Sequence, residues 1–159
     1  MSKSLEKEFI SFCESHDLEI NINQIAVIKK LEQYYRVNFK SFFSKLFSKQ
    51  STQKCFYLYG DVGVGKTMIL NFFFDELEKK KLRKHFNEFM LDFYNFAHER
   101  KEKSEENIIN QFVKDLKTKA SLVYFDEFQV TNIVDAMILG KLFDQIFKEN
   151  IKIIVTSNT

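Results

Sequence analysis

The segment Gly60-Asp61-Val62-Gly63-Val64-Gly65-Lys66-Thr67 constrains this chain more than any other, because it holds three of only four glycines in 159 residues that contain no proline. A chain that spends its glycines in one place needs backbone conformations there that other residues resist. The segment fits G-x-x-x-x-G-K-[ST]. It follows the short apolar run Cys55-Phe56-Tyr57-Leu58-Tyr59, which reads as a strand buried on both faces. It opens a helix expected over Thr67 to Lys81, with Met68, Leu70, Phe73, Phe74 and Leu77 available for its buried side. Strand, glycine loop and helix in that order form a phosphate cradle: successive N–H groups turn inward, and the helix N-terminus adds partial positive charge. Gly60, Asp61, Val62, Gly63, Val64, Gly65, Lys66 and Thr67 are therefore the expected nucleotide-binding residues. Lys66 is suited to neutralise the β- and γ-phosphates, and the Thr67 hydroxyl to ligate Mg²⁺.

The first fifty residues read as helices (Leu5, Phe9 and Phe12, then Ile25, Ile28 and Leu31), with a further short helical piece at Ser41 to Gln50 and a polar loop from Ser48 to Lys54. Beyond the loop, strands are expected at Leu82 to Asn87, Leu122 to Phe125 and Ile151 to Val155. Helices are expected at Glu88 to Lys101, Asn107 to Lys117 and Asn132 to Lys148, the last drawing on Ile133, Met137, Leu142 and Ile146 and ending at a C-cap near Asn150. Apolar strands alternating with helices imply an α/β fold with a parallel sheet and flanking helices. The chain divides into an N-terminal helical segment, 1–50, and a P-loop core, 51–159.

Two further groups follow strands. Leu122 to Phe125 ends abruptly in Asp126-Glu127, and ligands of parallel sheets bind beyond the C-terminal ends of strands. Asp126 is suited to hold Mg²⁺ through its water shell, and Glu127 to polarise an attacking water. Asn158, just past the last strand, can hydrogen-bond a γ-phosphate and that water. The order strand–loop–helix, strand–Asp-Glu, strand–Asn is that of the additional-strand P-loop ATPases. No N-K-x-D or D-x-x-G is present, which favours ATP over GTP. The expected catalytic residues are Lys66, Glu127 and Asn158; the expected metal ligands are Thr67 and Asp126; the expected cofactors are ATP and Mg²⁺.

Composition sets the outer limits. With 45% hydrophobic and 29% charged residues, the chain falls among globular proteins rather than disordered ones. A net charge of +2 demands no nucleic-acid partner. Cys13 and Cys55 have no metal-binding or redox spacing and read as inert thiols. No apolar run approaches transmembrane length, and early acids (Glu6, Glu8, Glu14, Asp17) argue against a signal or transit peptide, making the cytosol the expected location.

The segments L-Y-G-D-V-G-V-G-K-T-M (58–68), H-F-N-E-F-M (85–90), Y-F-D-E-F-Q-V-T-N-I-V-D-A-M-I-L-G-K-L-F (124–143) and V-T-S-N (155–158) resemble the ZapE-type AAA+ ATPases, bacterial proteins linked to cell division with mitochondrial relatives. The resemblance covers Cys55 to Asn158 and reaches upstream to Gln24 and Leu31. It implies the roles given above for Lys66, Thr67, Asp126, Glu127 and Asn158, and a nucleotide cycle that remodels a protein partner, with a division-type polymer as one candidate. Departures are Val64 where an arginine is common, Asn87 where a second histidine is usual, and Asn132 where an aspartate is common. His85 or Asn87, at the end of the second strand, is placed by the resemblance to restrain Glu127 until a partner binds. The family pattern continues beyond Thr159 with a fifth strand, an arginine finger and a helical lid. The chain is thus expected to end after the fourth core strand, to leave the strand 56–59 at an edge of the sheet, and to be marginally stable or to self-associate there. Two other readings remain: a non-catalytic nucleotide-binding module, and a P-loop ATPase acting on nucleic acid.

Overall fold

The computed structural model describes residues 4–39, 53–100 and 104–158. In chain order these form α1 (Leu5–Ser15), α2 (Ile22–Phe39), β1 (Cys55–Gly60), α3 (Lys66–Asp75), β2 (Lys81–His85), α4 (Phe86–His98), α5 (Glu105–Lys119), β3 (Leu122–Asp126), α6 (Ile133–Lys148) and β4 (Lys152–Asn158). The four strands make one parallel sheet in the order β1-β4-β3-β2. The expected helix at 41–50 and most of the expected loop at 48–54 lie outside the described residues.

The period-2 geometry of strands divides the core in two. Val123, Phe125, Ile153 and Val155 face α4, α5 and α6. Their neighbours Leu122, Tyr124 and Ile154 face α1, α2 and α3. Buried aromatics fill the first layer, with Phe125 edge-on to Phe89 at 4.7 Å between ring centres, a favourable quadrupolar arrangement. The second layer joins the first two helices to the sheet. Leu5, Phe9, Ile28, Leu31 and Tyr34 share a core with Ile69, Leu70 and Phe73 of α3. The Tyr34 hydroxyl donates to the Ile153 carbonyl at 3.1 Å, which satisfies a buried polar group.

Only β3 is buried at every position. β1 alternates, and this corrects the expectation of a strand covered on both faces. Phe56 and Leu58 pack toward α1–α3, while Tyr57 and Tyr59 are 56% and 66% exposed on the opposite face. The physical reason is position: β1 pairs with β4 alone among the described residues, and the α4–α6 core draws on β3 and β4 without reaching it. The two tyrosine rings lie against each other at 5.7 Å, and the Tyr57 hydroxyl meets Ser157 Oγ at 2.6 Å. Among the described residues β1 stands at one end of the sheet, the place expected for the strand 56–59.

Several boundaries move. α3 stops at Asp75, and Lys81 opens β2 rather than closing the helix. Its ammonium bonds the Leu77 carbonyl at 2.9 Å and also caps the Phe74 carbonyl, so it serves the helix end from the strand. β2 ends at His85, and Phe86 and Asn87 are already helical. Glu105 and Glu106, ahead of the helix expected from Asn107, form the first turn of α5 behind the N-cap Ser104, where their charge favours the helix dipole. Asn132 is the N-cap of α6, its Oδ1 accepting from Val134 N at 2.8 Å. Asparagine and aspartate are equivalent there, so this departure from the family pattern is neutral. Ile133 and Met137, expected on the buried side of α6, are exposed, and Leu139 joins Leu142 and Ile146 inside. Asn150, at φ 61°, sits one position past the C-cap Glu149. Cys13 is buried, Cys55 is exposed, and neither is in a disulfide. Among the described residues no helix is long and apolar enough to cross a membrane.

Candidate functional site

Because every strand runs the same way, the segments that follow β1, β3 and β4 emerge at one edge of the sheet, and the order β1-β4-β3 sets them side by side. Gly60 is in register with Asn158 across β1 and β4. One cleft of about 280 Å³ opens there, lined by Val62, Gly63, Gly65, Lys66, Thr67, Asp126, Glu127, Thr156, Ser157 and Asn158. Three stretches far apart in sequence thus meet. Of the expected binding residues, Gly60, Asp61 and Val64 belong to the loop but do not line the cleft.

The loop conformation explains its glycines. Gly63 and Gly65 have φ of +86° and +84°, a region where a side chain is strained. Nothing lies within 4 Å of where a Cβ on Gly63 would sit, so φ alone restricts that position. Gly65 carries a second constraint. A Cβ there would lie 2.6 Å from Gln24 Nε2, and that amide is engaged as donor to the Val64 carbonyl at 3.2 Å. Gln24, in the first turn of α2, thereby holds the loop from outside. Gly65→Ala should weaken binding of a non-hydrolysable ATP analogue roughly tenfold or more, since strain and displacement add, while Gly63→Ala carries strain alone and should lose less. Calorimetric titration of the two variants checks this; equal losses would remove Gln24 from the account.

Lys66 is 8% exposed. Its ammonium donates to the Gly60 and Asp61 carbonyls at 2.7 Å each, folded back across the loop it belongs to. Thr67 is exposed at the start of α3.

Asp126 is the most heavily bonded side chain of the site. Its Oδ1 accepts from Tyr124 OH at 3.1 Å, Thr156 Oγ1 at 3.0 Å and the backbone N–H of Glu127 at 3.1 Å. Its Oδ2 is ion-paired with Arg83 of β2. Burial works to raise the Asp126 pKa, but hydrogen bonds from Arg83, Thr156 and Tyr124, together with the guanidinium charge, outweigh it and hold the carboxyl below its ordinary value. The Tyr124 phenol is pushed up to about 12, chiefly by burial, and stays a neutral donor.

Glu127 differs from its neighbour in every respect. Its backbone is left-handed at φ 52°, uncommon for a residue other than glycine and a conformation that collects at functional sites. Its side chain is 73% exposed, with Oε2 3.9 Å from His85 Nδ1. Asn87, expected beside it at a strand end, is instead exposed in the first turn of α4. Of the two residues considered for restraint of Glu127, His85 is the one whose ring stands near its carboxylate.

The cleft suits a triphosphate with Mg²⁺. Among the described residues no three His, Cys, Asp or Glu side chains form a metal cluster. Mg²⁺ needs none, because it keeps several waters and takes one or two protein oxygens plus phosphates. Thr67 and Asp126, both lining the cleft, supply that kind of donor set. Arg83, Tyr124 and Thr156 were not expected from the sequence. Arg83 sits in the run Lys79 to His85, where one more positive charge reads as surface.

A family model described as AFG1-like ATPase matches residues 14–159. Lactation elevated protein 1 homolog B of Danio rerio is 37% identical over 121 residues, covering 70% of this chain and 24% of that protein. Cell division protein ZapE of Escherichia coli (strain K12) is 33% identical over 114 residues, covering 70% of this chain and 29% of that one. The chain therefore spans about a quarter of the length of these relatives. AMPPCP-bound DnaA from Aquifex aeolicus has the same fold, with a TM-score of 0.57 at 15% identity over 91% of this chain and 41% of that one. Fold, loop and matched length lead to one assignment: this chain belongs to the AFG1-like ATPase family, the group that includes the ZapE-type AAA+ ATPases.

Proposed function

We propose that the chain binds ATP with Mg²⁺ in the cleft at the C-terminal edge of the sheet and forms the nucleotide-hydrolysing core of an AAA+ ATPase that acts on a protein partner. The observation that carries this reading is the convergence of Lys66, Thr67, Asp126, Glu127 and Asn158 on one cleft. The backbone of the glycine loop and the Lys66 ammonium would hold the phosphates, and Thr67 and Asp126 would hold the metal, Asp126 through water. Mg²⁺, when bound, neutralises charge on the β- and γ-phosphates. Glu127, exposed and already lining the cleft, would orient and polarise the attacking water, with Asn158 beside it on β4. His85 would restrain Glu127 in the resting state, since its ring nitrogen already stands near the carboxylate.

ATP is favoured over GTP by the carboxylate pair and by the absence of any guanine-reading motif. A protein partner is favoured by the small net charge and by kinship with a protein named for cell division. A cytosolic setting is part of the same proposal.

Radiolabelled ATP turnover by the purified chain tests the reading. Glu127→Gln should leave ATP affinity within about twofold and lower turnover by roughly 10²–10⁴, the usual worth of general base catalysis. If the variant turns over ATP as fast as the wild type, Glu127 is not the base; if neither turns it over, the chain is a nucleotide-binding module alone.

A further inference from the structure

We propose that Arg83 is a built-in counter-cation for Asp126, which a divalent cation entering with the nucleotide has to displace; the inference rests on the nucleotide reading given above. Among the described residues Arg83 is the cation in contact with the Asp126 carboxylate, and it is well anchored. One guanidinium nitrogen is ion-paired with Asp126 Oδ2. The other donates to Asn71 Oδ1 of α3 at 2.6 Å. The guanidinium also lies over the Tyr124 ring, 5.2 Å from its centre. These contacts tie β2, β3 and the helix behind the phosphate loop together.

The two oxygens of Asp126 are divided between aim and charge. Tyr124, Thr156 and the Glu127 N–H all bond Oδ1 and fix the carboxylate's direction without Arg83. Oδ2 faces only the guanidinium among the bonds described. Losing Arg83 therefore changes the local charge far more than the orientation. A +1 guanidinium and a +2 metal sharing one carboxylate repel each other in a site where Asp126 is 8% exposed and water screens poorly. The Arg83 side chain is 37% exposed, so it has a way out into solvent when the metal arrives.

The sign of the effect follows. Without metal, Arg83 neutralises a carboxylate that would otherwise repel an incoming triphosphate. With metal, it competes. Arg83 thus narrows the difference between metal-loaded and metal-free nucleotide binding, and the ratio of the two affinities measures it. It is a positioning residue of the metal site, acting through Asp126.

The experiment measures Kd for a fluorescent non-hydrolysable ATP analogue in excess Mg²⁺ and in EDTA. Arg83→Met should raise the ratio Kd(EDTA)/Kd(Mg²⁺) roughly tenfold over wild type, within the usual range of coupling between sites. Arg83→Lys keeps the charge and should stay near the wild-type ratio. Arg83→Gln keeps a donor without charge and should behave like Arg83→Met, which covers the case in which the methionine variant does not fold. Thermal unfolding gives a second readout: nucleotide-free Arg83→Met should melt below wild type, and Mg²⁺ with the analogue should raise its Tm by more than it raises the wild type's. An unchanged or lower ratio in folded Arg83→Met or Arg83→Gln overturns the inference alone. A wild type that binds no analogue in either buffer overturns it together with the phosphate-cradle reading.

Discussion

Replacing Lys66 by alanine should lower affinity for Mg²⁺-ATP by roughly two to three orders of magnitude while moving the Tm of the nucleotide-free chain by only about 2 °C or less. Hydrogen bonds to charged groups are worth about 1.5–3 kcal/mol each; in a cleft open to water two of them fall in the lower part of that range, about 3–4 kcal/mol together at 1.4 kcal/mol per decade. The ammonium is in place for this, 8% exposed and supported by the start of α3. Its present partners, the Gly60 and Asp61 carbonyls, sit where β1 ends and the exposed loop begins, within reach of water when the lysine is gone. Binding and folding are therefore separable at this position. Isothermal titration with an ATP analogue, beside a thermal melt, checks both halves. Affinity within threefold of wild type would show that backbone N–H groups alone hold the phosphates.

How much of this was legible in the sequence depends on which interactions are local. The glycine loop was, because G-x-x-x-x-G-K-T encodes its own conformation: φ is positive at Gly63 and Gly65 and the helix begins at Lys66. The pair Asp126-Glu127 was legible because four apolar residues ahead of it announce a buried strand. Environment set by distant elements was not. Cys55 to Tyr59 is apolar enough to be covered on both faces, yet coverage is decided by which helices reach the edge of the sheet, and none of α4–α6 does. Lys81 reads as the tail of a lysine-rich helix, but in β2 it pairs with Leu122. Arg83 was hidden for a related reason. In sequence it is one cation among several; only the parallel register of β2 on β3, with Arg83 opposite Tyr124 and His85 opposite Asp126, puts it beside the carboxylate. Asn87 was misplaced because Phe86 starts α4 without an intervening loop.

The same network gives the second large expected effect, on stability. Asp126→Asn keeps the shape of the side chain but supplies only one acceptor oxygen where the site requires two. If that oxygen takes the Oδ1 place, serving Tyr124, Thr156 and the Glu127 N–H, the amide NH₂ points at Arg83, donor against donor. Turned the other way, the NH₂ meets the Glu127 N–H donor against donor, and the Tyr124 and Thr156 hydroxyls must turn to accept from it. Either arrangement leaves groups unpaired, and with Arg83 37% exposed and so partly rehydrated, the loss falls at the lower end for a broken ion pair, about 2–3 kcal/mol. For a chain of this size that is roughly 5–10 °C in Tm. The effect has a defined pH dependence. The Asp126 carboxyl is held below its ordinary value of 3.8 in the folded chain, so its contribution is fully present above that value and disappears as pH falls through the lowered folded value. The Tm gap between wild type and Asp126→Asn should therefore be widest near neutral pH and close below about pH 4. A gap that persists unchanged into acid would assign the loss to shape and hydrogen-bond count rather than to the carboxylate's charge.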